Sequence, residues 1–143
     1  MQGNNRIILS SFHIQFNIII FILLIKIRSA DRFYSRVDEP RPTNRRGNIP
    51  GSTNVPFGMV LTTPNSKDQF ITLKSEDEIK KIFQDHAKVD LSKQITTSCG
   101  SGVTASLLTF SLYWSGVPME KLSVYDGSWS EWGNPALNPK FIN

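Results

Sequence analysis

Apolar residues crowd the front of the chain: Ile, Leu and Phe dominate from Ile7 to Ile27, and Ile18 to Ile25 is apolar without a break. That window approaches the roughly 20 residues of a bilayer span, but His13, Gln15 and Asn17 interrupt it, and the unbroken part has only the length of a strand. The pattern predicts a buried first strand over Phe21 to Ile27. A signal or membrane anchor over residues 7–27 is the alternative, weakened by Arg28-Ser29-Ala30, a poor cleavage site. Residues 28–56 carry Pro40, Pro42, Pro50 and Pro56, spaced too closely for a long helix, and predict a long ordered loop. Ser75 followed by Glu78 forms a capping box, and Ile79, Ile82 and Phe83 recur at helical spacing, predicting a helix over 76–87. Gln94 to Ser98 reads as a short strand. Val103 to Ser115 is apolar on most faces and predicts a mostly buried helix ended by Gly116, and Leu122 to Tyr125 is another strand. Strand, loop, helix, strand, helix, strand indicates an α/β domain with a parallel sheet flanked by helices. No repeat or low-complexity tract interrupts it.

Composition changes this picture little. With 143 residues, 39% hydrophobic and 20% charged, the chain supports one ordinary globular domain rather than a disordered or disulfide-stapled one. The single cysteine, Cys99, forms no intramolecular disulfide and suits a reducing compartment, the cytoplasm or a mitochondrion. Charge is uneven: the first 50 residues hold eight basic side chains against three acidic, and the remainder eight against nine. All seven arginines precede residue 47, without the spread of cations and interleaved aromatics that a nucleic-acid binder needs. A small anionic ligand fits better.

The chemistry concentrates in Thr96 to Ala105, a thiol at a strand end followed by Gly100, Ser101 and Gly102 and then a helix. Ligands of open α/β sheets bind at the carboxyl ends of strands, where the first amides of the next helix also point. Gly100 and Gly102 remove side chains that would keep those amides apart, so the loop predicts an anion nest around the sulfur and a thiol pKa below the free value of about 8.5. A nucleotide-binding loop would need a lysine after its glycines, and none lies between Lys93 and Lys121. A cysteine phosphatase would need an arginine six residues after its cysteine, where Ala105 stands. Cys99, His13 and His86 share no metal-ligand spacing, so no metal is expected. What remains is sulfur transfer: a thiolate that accepts a sulfur atom, stores it as a persulfide and passes it on, with no metal or organic cofactor.

The stretch Cys99-Gly100-Ser101-Gly102-Val103-Thr104 resembles the active-site loop of the 3-mercaptopyruvate sulfurtransferases of the rhodanese group. The likeness extends through Glu39-Pro40-Arg41, Gly47 to Ser52, Asn54 to Phe57 and Tyr125 to Trp132, covering roughly residues 28–142. It divides the chain into a front segment over 1–27 that is not family-like and a rhodanese-like catalytic domain over 28–143. The resemblance implies Cys99 as nucleophile, and Ser101 as a group that hydrogen-bonds substrate or relays a proton. Gly100, Gly102, Val103 and Thr104 complete the substrate loop, and Arg32 with Arg41 clamps a 2-oxo acid carboxylate. Gly100 and Ser101 stand where thiosulfate-preferring members carry basic residues, which favours 3-mercaptopyruvate as donor, with thiosulfate second and a thiol or cyanide-type acceptor. Arg28, Arg36, Arg45 and Arg46 match no family position and read as surface, while Asp126, Trp129 and Trp132 read as fixing the loop after the last strand. The resemblance also implies a preceding rhodanese domain, absent here, that supplies a histidine and an aspartate. Asn48 replaces the family's usual histidine, and Lys26 its aspartate at the end of the first strand. A catalytically weak sulfur carrier or binding module is the competing reading.

Overall fold

The computed structural model describes residues 23–26, 28–40, 45–66 and 69–138. Four parallel strands form one sheet in the order β2-β1-β3-β4, with β1 at Leu23–Lys26, β2 at Thr53–Asn54, β3 at Ile95–Ser98 and β4 at Leu122–Val124. β1 lies within the strand expected over Phe21 to Ile27. It sits in the interior of the sheet, pairing Ile25 with both Thr53 and Thr97, and Ile25 is fully buried. The sheet therefore crosses the boundary that the sequence places at residue 28. Strand pairing, which that likeness did not register, overrides the break. Among the described residues no helix is long and apolar enough to cross a membrane, and most of the expected anchor, residues 7–22, lies outside them.

The expected loop over 28–56 is not wholly irregular. A single helical turn, α1 (Ala30–Phe33), follows β1, and β2 forms beyond Pro50. Both fit because the prolines begin only at Pro40 and leave ten residues before it and five after Pro50 free to pair. The next helix, α2, spans Glu76–Lys81 and continues as a wider π-turn over Ile82–His86, closed by the Ala87 amide on the Ile82 carbonyl at 3.1 Å. The capping box is present, with the Ser75 amide donating to Glu78 at 3.1 Å. Lys88, with φ +54°, ends the element.

Helix α3 (Val103–Trp114) packs along β3 and β4 through Ala105, Leu108, Ser111 and Leu112, all buried at helical spacing. The expectation of burial on most faces fails: Phe110, Tyr113 and Trp114 are each 48% exposed. One face of a helix on a sheet is enough to cover the strands, so the other faces the solvent whatever its composition. Beneath α3 the core gathers Ile25, Val55, Val60, Ile79, Phe83, Ile95, Leu108 and Leu112, all fully buried. A last short helix, α4 (Ser128–Trp132), follows β4 and buries Ser128 and Trp129.

Candidate active site

β3 ends at Ser98, and the chain turns through Cys99–Gly102 into α3. Thr97 ties the two together, donating from Oγ1 to the Ala105 carbonyl at 3.1 Å. The turn folds the thiol back over its own backbone, so that Sγ accepts the amides of Ser101 at 3.3 Å and Gly102 at 2.9 Å. Burial of Cys99 raises its pKa, but hydrogen bonds from the Thr104 side chain, the Ser101 and Ala105 amides and the Ser128 hydroxyl outweigh that effect and leave it below the ordinary thiol value. The nest expected from the sequence is thus present around the sulfur.

The two glycines play unequal parts. Gly102 has φ +92°, and a Cβ there would stand 2.7 Å from Asp126 Oδ1 and 3.0 Å from the Asp126 carbonyl. Only glycine fits. A Cβ on Gly100 would meet nothing within 4 Å, so its predicted steric role is not what the packing requires. The segment Tyr125–Ser130 presses on the same turn. Tyr125 donates its amide to Thr97, Trp129 to the Cys99 carbonyl at 3.1 Å, and Ser130 both its amide and its hydroxyl to the Gly100 carbonyl. Trp129 accordingly does fix the loop after β4, while Asp126 lies against Gly102.

A cleft of about 330 Å³ opens over the sulfur. Cys99, Ser101 and Thr104 line it together with Arg28, Arg32 and Glu39, and Phe57 and Val103 add apolar surface. Gly100 also borders this space, so the described residues of the predicted site, all but the buried Gly102, meet in one place. Arg41 lies outside the described residues. A larger hollow of about 530 Å³ beside Leu73, Phe110 and Trp114 contains no thiol.

Arg28 overturns its surface reading. It is 6% exposed, donates to the Gly47 carbonyl at 2.7 Å and the Arg32 carbonyl at 3.2 Å, and pairs with buried Glu39. Its guanidinium lies 4.5 Å from the centre of the Trp129 ring. Burial, and then the nearby charge of Arg32, lower its pKa to about 10, which leaves it cationic at neutrality. Its position just after β1, at the carboxyl edge of a parallel sheet, is the sequence signal that could have found it. Arg45 is also partly enclosed, reaching the Asn138 carbonyl at 3.0 Å, because its loop packs against the end of α4. Arg36 and Arg46 are exposed as expected, facing Asp31 and Asp38. Glu39, Phe57 and Trp129 join the cleft without having been singled out for it. His86 is exposed at the end of the π-turn, and His13 lies outside the described residues.

The rhodanese-like domain family matches residues 15–135. The chain belongs to that family. The 3-mercaptopyruvate sulfurtransferase of Escherichia coli (strain K12) is 46% identical over 116 residues, which are 81% of this chain and 38% of that protein. The Rattus norvegicus protein of the same name is 42% identical over 109 residues, 76% of this chain and 34% of the relative. The solved 3-mercaptopyruvate sulfurtransferase from Leishmania major superposes with a TM-score of 0.63 at 32% identity, covering 84% of this chain and 31% of that one. The rhodanese-like chain described here thus spans little more than a third of the length of these curated relatives.

Proposed function

We propose that this rhodanese-like domain is a sulfurtransferase working through a Cys99 persulfide, with 3-mercaptopyruvate the first donor and thiosulfate the second. The observation that carries the reading is the Cys99 sulfur held by two backbone amides in a cleft that Arg28 and Arg32 also line. With 3-mercaptopyruvate the thiolate attacks the donor's sulfur, and a Cys99 S–S bond forms as the donor's C–S bond breaks. The bonding pair leaves on carbon as the enolate of pyruvate, which takes a proton from solvent. A thiol or cyanide-type acceptor then attacks the outer sulfur and returns Cys99 as thiolate, whose charge the amides stabilise again. Arg32 meets the donor's carboxylate, joined by Arg41. Arg28 is engaged with Glu39 and two carbonyls and shapes the wall rather than reaching outward. A reducing compartment keeps the thiol available.

One observation favours a second reading, a sulfur carrier that loads without turning over: among the described residues that line the cleft there is no imidazole. A mass spectrum of the Cys99 peptide after incubation with 3-mercaptopyruvate should gain one sulfur atom, and Cys99→Ser should gain none. Continuous pyruvate release with an added thiol supports the enzyme, and a single stoichiometric burst the carrier. An unmodified wild-type peptide with both donors would remove both readings.

A further inference from the structure

Ser128 is fully buried, yet its backbone has φ +49°, the left-handed region that a non-glycine residue occupies only where its surroundings hold it there. Its hydroxyl accepts the Cys99 amide at 3.0 Å and donates to the Tyr125 carbonyl at 2.8 Å, with the Cys99 sulfur 3.9 Å away as a more distant acceptor. The Cys99 amide lies one residue past the end of β3, whose last paired residue, Ser98, faces Lys26 across the sheet. The serine therefore takes over the hydrogen bonding where the sheet ladder stops, at the residue that bears the thiol. Strain of this kind, placed against a nucleophile, is the signature of a positioning role.

We propose that Ser128 is a positioning residue for Cys99. By anchoring the Cys99 amide it sets the direction of the Cα–Cβ bond, and so keeps the sulfur within reach of the Ser101 and Gly102 amides. Without that anchor Cys99 turns more freely, the sulfur leaves the arc for part of the time, and the thiol regains its proton. The inference rests on the sulfur-transfer reading only for its purpose, since the geometry it concerns is that of the resting thiol.

Ser128→Gly separates the hydroxyl from the fold, because glycine adopts the left-handed conformation freely and removes the strain. Alkylation of Cys99 by iodoacetamide is followed against pH in the full chain, with thermal unfolding measured alongside. The expected result is a melting temperature no lower than wild type together with an alkylation midpoint raised toward that of a free thiol. At pH 6.5 the rate falls about tenfold, the change in thiolate fraction that one unit brings. Ser128→Ala should show the same displaced profile at lower stability, since it keeps the strain. A wild-type profile in Ser128→Gly overturns the assignment, as does loss of cooperative unfolding in that variant, which would make the serine a structural residue. A wild-type thiol that alkylates at low pH but gains no sulfur from either donor defeats the functional proposal alone and leaves the role of Ser128 standing.

Discussion

Gly102 and Gly100 look equivalent in the sequence and are not. Gly102→Ala forces a left-handed residue against Asp126 and should raise the alkylation midpoint of Cys99 and cost on the order of 1–3 kcal/mol in chemical denaturation. Gly100→Ala meets open space and should change either measurement little. The thiol itself carries a pH signature. Its folded pKa lies below the unfolded value, so ionisation contributes stability that is fully present above the ordinary thiol pKa of about 8.5 and is lost as pH falls through the folded value. Denaturation of wild type and Cys99→Ser at a series of pH values should show the difference between them growing in favour of wild type as pH rises across that window. A constant difference would mean that the amides do not favour the thiolate. Cys99, Gly102 and the anion nest were legible because a glycine two or three residues beyond a strand-end cysteine has few other uses. Arg28 was legible only in its place at the carboxyl end of the first strand, which marks the edge where ligands bind but does not say that the guanidinium turns inward onto Trp129 and Glu39. The left-handed backbone of Ser128 leaves no trace in residue type at all.

At the level of the elements, local signals read well and packing read poorly. The Ser75–Glu78 capping box fixed the start of α2 because both partners lie within one turn. The widening at Ile82–His86 was invisible, since apolar spacing marks a helix without saying which turn of it widens. α3 was placed nearly to the residue, but its apolar surface misled: Phe110, Tyr113 and Trp114 are no more polar than the residues that face the sheet. Two neighbouring substitutions separate the faces. Leu112→Ala, in the core, should lower stability by about 2–5 kcal/mol, whereas Tyr113→Gln should fall within about 0.5 kcal/mol of wild type in the same denaturation measurement. A comparable loss in Tyr113→Gln would show that the outer face of α3 is covered.

Over the whole molecule, a parallel sheet with β1 and β3 adjacent brings Arg28 and Cys99, 71 positions apart in sequence, to the same edge and makes one cleft of them. The α/β class followed from element order alone, because parallel neighbours require helical crossovers. The interior place of β1 did not, since the apolar run that contains it carries no sign of where a strand begins. The ties that grip Cys99 and Gly100 from beyond their own turn come from Ser128, Trp129 and Ser130, about thirty positions downstream. During synthesis the ribosome therefore releases the cysteine well before it releases these clasps. A nascent polypeptide can gather the local amides around its sulfhydryl early, but the clasp on the backbone that carries it closes only once this later stretch has emerged.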